Sequence, residues 1–244
     1  MDRFGLVFSD GLNGTIDVVD LAMNYVAKQL RDAGYDVSAV MVILAHMLVD
    51  DKSYRLDAKD QLHRTLQAIA DADYKGGLFI FGLSPRMTEH DYRVTMTLPH
   101  SIDSHWSFAI FSPMHESCAL LDKNPTPEME RVFDRLVSGI KRWTQKDHIM
   151  SFFEAPACAV FELPSWSSAF SGATLVGEMC RHIFDCNESS FCLLNSDLID
   201  SMEQTTDGEV LRNQLRDYLT KYLSLSLSLS LSLSLSLSRS LSRW

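Results

Sequence analysis

The chain has 244 residues, 46% of them hydrophobic and 22% charged, with a formal charge of −10 at neutral pH. That length and mixture fit a globular protein with a sizeable core, as one domain or one plus an appendage. The acidity argues against a nucleic-acid binder, which needs a cationic face to displace counterions from phosphates, and suits a basic protein partner.

Five cysteines, Cys118, Cys158, Cys180, Cys186 and Cys192, form no CxxC pair. An odd, low count of this kind reads as reduced intracellular thiols, not as a disulfide framework. The first residues, MDRFGLVFSDG, lack the apolar stretch of a signal peptide. No run reaches the roughly 18 apolar residues of a membrane span. The expectation is a protein inside the cell, in nucleus or cytoplasm, with no membrane partner.

In chain order, Asn13 is placed to cap a helix in which Ile16, Val19, Met23, Val26 and Leu30 recur at helical spacing, ending at Gly34. A mostly buried element, Val37 to Leu48, follows, then a polar helix from about Ala58 to Ala72. The period then changes. Leu78–Phe81, Arg93–Leu98 and Ser107–Phe111 are short runs rich in β-branched and aromatic residues, and they read as strands, with Ala119–Leu121 as a fourth.

Thr126-Pro127 is a helix start, a capping hydroxyl followed by Pro in the first turn, with Glu128 and Glu130 at the positive end of the dipole. Ala157–Leu163 is a further strand. Gly172–Phe184 is a helix with few charges and so a buried, central one. Helices over about Asn195–Met202 and Gly208–Tyr222 close the domain. Helices, then a small sheet, then helices make an α+β pattern. A domain over 1–222 is expected.

The remainder, 223–244, is of another kind. From Leu223 to Ser238 Leu and Ser alternate without a break. Period two would put every Leu on one face of a strand, an aggregation-prone arrangement. An expanded CT dinucleotide repeat would encode the same alternation, and the segment reads as low-complexity chain without function.

The stretch with chemical content is Leu98-Pro-His-Ser-Ile-Asp-Ser-His-Trp-Ser-Phe-Ala-Ile-Phe111, followed by Leu120-Leu-Asp122. His105-Trp106 opens one strand and Asp122 ends the next. Adjacent antiparallel strands of this length put the carboxylate beside the imidazole, where it fixes the tautomer and stabilises the protonated ring. The pattern resembles the ubiquitin-like-protein (SUMO) deconjugating cysteine proteases of the papain-like superfamily. Their catalytic His precedes a Trp at the start of one strand, and their Asp ends the next.

That resemblance implies a papain-like α+β fold with a small central mixed or antiparallel sheet flanked by helices. It also implies a nucleophile at the start of the central helix. Leu163-Pro-Ser-Trp-Ser-Ser-Ala-Phe-Ser-Gly172 matches the family segment in shape and order, but Ser171 stands in the Cys position and Ser165 or Trp166 in that of the oxyanion-binding Gln. Gly11-Leu-Asn-Gly-Thr-Ile16 resembles the segment that opens the family's first helix. There Gly11 replaces a Trp that, with the residue equivalent to Trp106, sandwiches the modifier's Gly-Gly tail. Gly14 replaces an acidic contact to the modifier.

The resemblance thus implies acyl transfer on the C-terminal Gly-Gly amide or isopeptide of a ubiquitin-like modifier, without metal or organic cofactor. His105 and Asp122 would be kept and the thiol lost. Three readings remain open: a degenerate peptidase that still binds a modifier or a modified protein, an active cysteine peptidase whose Cys codon was lost at a misread splice junction, and an unrelated α+β binding domain. Cys180 is a poor substitute nucleophile, lying more than two turns into the helix. Cys180, His182, Cys186 and Cys192 fit no zinc spacing.

Overall fold

The computed structural model describes residues 16–50, 60, 63–65, 67–68, 77–88, 105–113, 117–146, 157–162, 169–186, 210, 213–214 and 216–218. The first helix, α1 (Ile16–Asp32), turns the expected stripe inward: Val19, Met23, Val26 and Leu30 are all buried. Gly34 ends it with φ of 97°, a left-handed conformation that costs a residue without Cβ little. Tyr35 N–H then donates to Leu30 O and Gly34 N–H to Arg31 O, both at 3.0 Å, the paired bonds of a Schellman cap. The Asn13 cap lies outside the described residues.

The single buried element expected over Val37–Leu48 is two elements, strand β1 (Val37–Val40) and helix α2 (Val42–Asp50). An apolar run interrupted only by Ser38 and His46 carries no clear period by which strand and helix could be told apart. Asp20 of α1 settles the break at Met41. Its Oδ1 accepts from Val42 N–H at 2.8 Å, satisfying a first-turn donor of α2 that has no partner within the helix.

Strand β2 (Leu78–Leu83), a 3-10 turn (Pro85–Thr88), β3 (Ser107–Ser112) and β4 (Ser117–Asp122) follow, each strand a little longer than the sequence pattern suggested. Helix α3 (Pro127–Lys146) starts as Thr126-Pro127 requires, with Met129 N–H donating to Thr126 Oγ1 at 3.2 Å. Strand β5 (Ala157–Glu162) and helix α4 (Ala169–Cys186) complete the set. The strand expected at 93–98, the helix at 195–202 and the Leu-Ser tail lie outside the described residues. Of the two other helices expected, positions 60, 63–65 and 67–68, and 210, 213–214 and 216–218, are helical.

The five strands form one mixed sheet in the order β1-β2-β3-β4-β5. The outer pairings, β1 with β2 and β4 with β5, are parallel; the inner ones are antiparallel. Every residue of β2, β3 and β4 is buried, so both faces of the centre are covered. This is an α+β architecture.

Two helix pairs do the covering. In one, Gly139 of α3 sits so close to the end of α2 that a Cβ there would come within 2.0 Å of Leu48 O. In the other, a Cβ on Gly177 of α4 would meet Val26 Cγ1 of α1 at 2.5 Å. The helical positions near the C-terminus rest on α1, where the Tyr25 and Tyr218 rings lie 5.4 Å apart and Gln29 Nε2 donates to Gln214 Oε1.

Candidate active site

Strand register brings the first candidate pair together. Phe108 of β3 faces Leu121 of β4 in the antiparallel ladder, so one step further out Ser107 faces Asp122. His105 lies two residues before Ser107, on the same side of the chain by the period-two alternation of extended backbone. Its Nε2 approaches both oxygens of Asp122, at 2.9 Å to Oδ1 and 3.0 Å to Oδ2. The Asp122 side chain has no exposed surface, whereas that of His105 keeps 20%.

A buried carboxylate is costly unless its lone pairs are used. Here they are. Beyond the imidazole, Ser107 Oγ donates to Oδ2 at 2.5 Å and Asn124 N–H to Oδ1 at 2.8 Å. Burial pushes the Asp122 carboxyl pKa up, but the hydrogen bonds from His105, Ser107 and Asn124 together outweigh it and hold it below the usual carboxylate value. Asp122 is therefore an anion at neutral pH. An anion against Nε2 favours the tautomer with its proton on that nitrogen, which leaves the Nδ1 lone pair to accept a proton from elsewhere.

The third element is the start of α4. Tyr35, just beyond the end of α1, packs its ring at a tilt against Phe184, and its hydroxyl donates to Asp185 at the end of α4. Gly177 lies against Val26. Position for position, then, α1 and α4 run side by side in the same direction. The beginning of α1 lies over the end of β2, since a Cβ on Gly82 would meet Val19 Cγ1 at 2.8 Å. In the ladder Leu83 pairs with Ser107.

The beginnings of both helices therefore share the sheet end that carries His105 and Asp122. The strand leading into α4 agrees: β5 ends at Glu162, the register partner of Asp122. No acidic side chain occupies the first turn of α4, and first-turn N–H groups, which have no partner within their own helix, form the positive end of its dipole.

Ser171 is the third residue of α4; its side chain is outside the described set, as are Ser165, Trp166, Gly11 and Gly14. Trp106 is 4% exposed and belongs to the core cluster, on the opposite side of the strand from His105. Cys180 is fully buried, and burial pushes its thiol pKa far up. The same holds for Cys118, where burial and then Cys158 raise it. Cys158 is raised by burial and then by Asp134. None of these thiols carries the lowered pKa of a nucleophile.

Two supports of Asp122 escaped the sequence reading, Ser107 and the Asn124 N–H. The first had a signal: a Ser two residues after the His, on the same side of the chain, followed by the apolar run Phe108–Phe111. The second is a backbone group and had none.

Among the described residues no group of His, Cys, Asp and Glu is gathered as a metal would need, and no helix is long and apolar enough to cross a membrane.

No family model matches this chain. No curated protein matches it. Solved structures do, at a distance. The chain is similar to SUMO protease Ulp1 with the catalytic cysteine oxidized to a sulfenic acid, with a TM-score of 0.42 and 9% identity over 80% of this chain and 78% of that one. It is similar to the same protease in its sulfinic form, with a TM-score of 0.42 and 7% identity over 81% and 78%. For the sulfonic form the values are 0.41 and 9% over 81% and 77%.

Proposed function

We propose that the chain derives from SUMO-deconjugating cysteine peptidases of papain-like fold, keeps their acid–base pair and has lost their thiol. The observation that supports this reading is the His105 Nε2 to Asp122 contact of 2.9 Å at the sheet end where α4 begins. An oriented imidazole at the sheet end shared with a helix N-terminus is compatible with the arrangement acyl transfer needs.

In that mechanism the residue at 171 attacks the carbonyl carbon of the modifier's C-terminal Gly. His105 Nδ1 takes the nucleophile's proton and later delivers it to the leaving amine. Asp122 stabilises the ring while it is charged. N–H groups at the start of α4 bind the oxyanion, with Ser165 or Trp166 as the further donor. The family resemblance assigns Trp106, Gly11 and Gly14 to the groove for the modifier's tail, and the burial of Trp106 in the core speaks against an open face of its ring there. No metal or organic cofactor takes part. The domain responsible spans 1–222, works in nucleus or cytoplasm, and its partner is a ubiquitin-like modifier or a protein carrying one.

A serine hydroxyl gives up its proton far less readily than a thiol, and this site is laid out for a thiolate. The wild-type chain is therefore a weak or silent peptidase, and its retained role is to bind a modifier without cutting. The test is reaction of the full chain with a modifier whose C-terminus carries an electrophile selective for thiolates. Wild type is expected to form no adduct, Ser171→Cys to form one, and Ser171→Cys with His105→Ala to lose it again. Brisk wild-type cleavage of a modifier amide that vanishes in Ser171→Ala would overturn the degenerate reading. A folded Ser171→Cys variant that stays unlabelled would remove residue 171 from the site.

A further inference from the structure

We infer that Ser107 is a positioning residue for the acid–base pair: its hydroxyl holds the Asp122 carboxylate in the plane that faces the imidazole. The catalytic meaning of that role rests on the function proposed above; the hydrogen bond itself does not.

A carboxylate on a strand end can turn about its last single bond, and a turn would spoil an approach in which Nε2 meets both oxygens. Two clamps oppose the turn. Asn124 N–H, from the loop after β4, holds Oδ1, and Ser107 Oγ, from β3, holds Oδ2. Because the clamps come from different segments, rotation must break at least one of them. The Ser107 side chain is wholly buried, so no water replaces it cheaply.

Ser107 is also directly opposite Asp122 in the ladder, where Cβ atoms of facing residues are closest. A hydroxyl one carbon from the backbone is the length that reaches a facing carboxylate there. Among the described residues, His105 just before β3 and Ser107 of β3 face Asp122, Lys123 and Asn124 follow it in the chain, and Glu162 is its register partner on β5.

The decisive measurement follows the Asp122 side-chain carboxyl carbon by NMR as pH is lowered, in the full chain. Ser107→Ala is expected to titrate at higher pH than wild type, and Ser107→Thr, which keeps a hydroxyl, to return toward the wild-type midpoint. A packing role alone would leave the midpoint in place. In the Ser171→Cys background, Ser107→Ala should slow adduct formation with the electrophilic modifier about tenfold, as loss of one bond to a charged group implies, with reversible binding unchanged. Should the alanine variant not fold, Ser107→Cys, nearly isosteric but a poor donor, gives the same comparison.

An Asp122 midpoint that does not move in a folded Ser107→Ala or Ser107→Cys protein overturns the assignment, as does an equal shift in Ser107→Thr. Absence of any adduct in Ser171→Cys counts against the proposed function, while the carboxyl titration still decides Ser107.

Discussion

The β3–β4 hairpin has two ends of nearly equal burial and opposite polar economy. At the outer end Ser107 and Asp122 are both 0% exposed, and the carboxylate receives donors from His105, Ser107 and Asn124. At the turn end Ser112 and Ser117 face each other, 1% and 3% exposed, and the Ser112 hydroxyl has no hydrogen-bond partner among the described residues. One ladder thus holds a charged group whose lone pairs are used and a neutral one that, among the described residues, makes no hydrogen bond. Burial did not select between them. Supply of partners did, and a fully supplied charge in a buried place is the kind of feature that function, more than stability, retains.

The largest expected effect breaks the supplied end. Asp122→Ala removes the acceptor for a buried hydroxyl and a backbone N–H while opening a small cavity. It should cost about 2–4 kcal/mol in denaturant unfolding, at the upper range for a single buried polar change. A loss below about 1 kcal/mol would mean that the three donors find other acceptors, and the contrast between the two ends would collapse.

Next in size is a pH effect. Asp122 titrates below the ordinary value of 3.8 because its hydrogen bonds outweigh its burial. The unfolded chain therefore binds this proton more readily than the native one, and stability from the carboxylate is present above the unfolded value and lost as pH falls through the native one. The stability gap between wild type and Asp122→Asn should be flat above about pH 5 and close progressively below about pH 4. A gap that widened toward acid would reverse the sign and show that the carboxylate is held in its neutral form.

These tests bear on how far the site could be read from the chain. The approach of His105 to Asp122 was legible because alternation and strand length fix where a strand begins and ends, and a His and an Asp at facing ends must approach; the burial of Trp106 in the core was not. The caps at Thr126-Pro127 and Gly34 were legible for the same local reason. The β1–α2 break was not, since it depends on Asp20, a residue 22 positions away from the N–H that it accepts from. Nor was the common direction of α1 and α4, which follows from Gly177 letting Val26 in and from Tyr35 reaching Asp185. Local chemistry is written locally; the placing of a helix start beside a strand end is decided by contacts far apart in sequence.

The smallest expected effect sharpens the comparison from the other side. Ser112→Ala deletes a buried hydroxyl that has no hydrogen-bond partner among the described residues, keeps the Cβ and disturbs packing by a single atom. Removing an unsatisfied polar atom recovers its desolvation cost, so the variant should be more stable than wild type by about 0.5–1 kcal/mol. The corresponding change at the other end, Ser107→Ala, should be destabilising, because its hydroxyl is bonded to a charged group. Opposite signs for one substitution made twice in one strand would establish that the two ends differ in partner supply. If both serines cost the same to remove, the supply of partners is not what separates the two ends, and the supported carboxylate loses its claim to be a retained feature of a site.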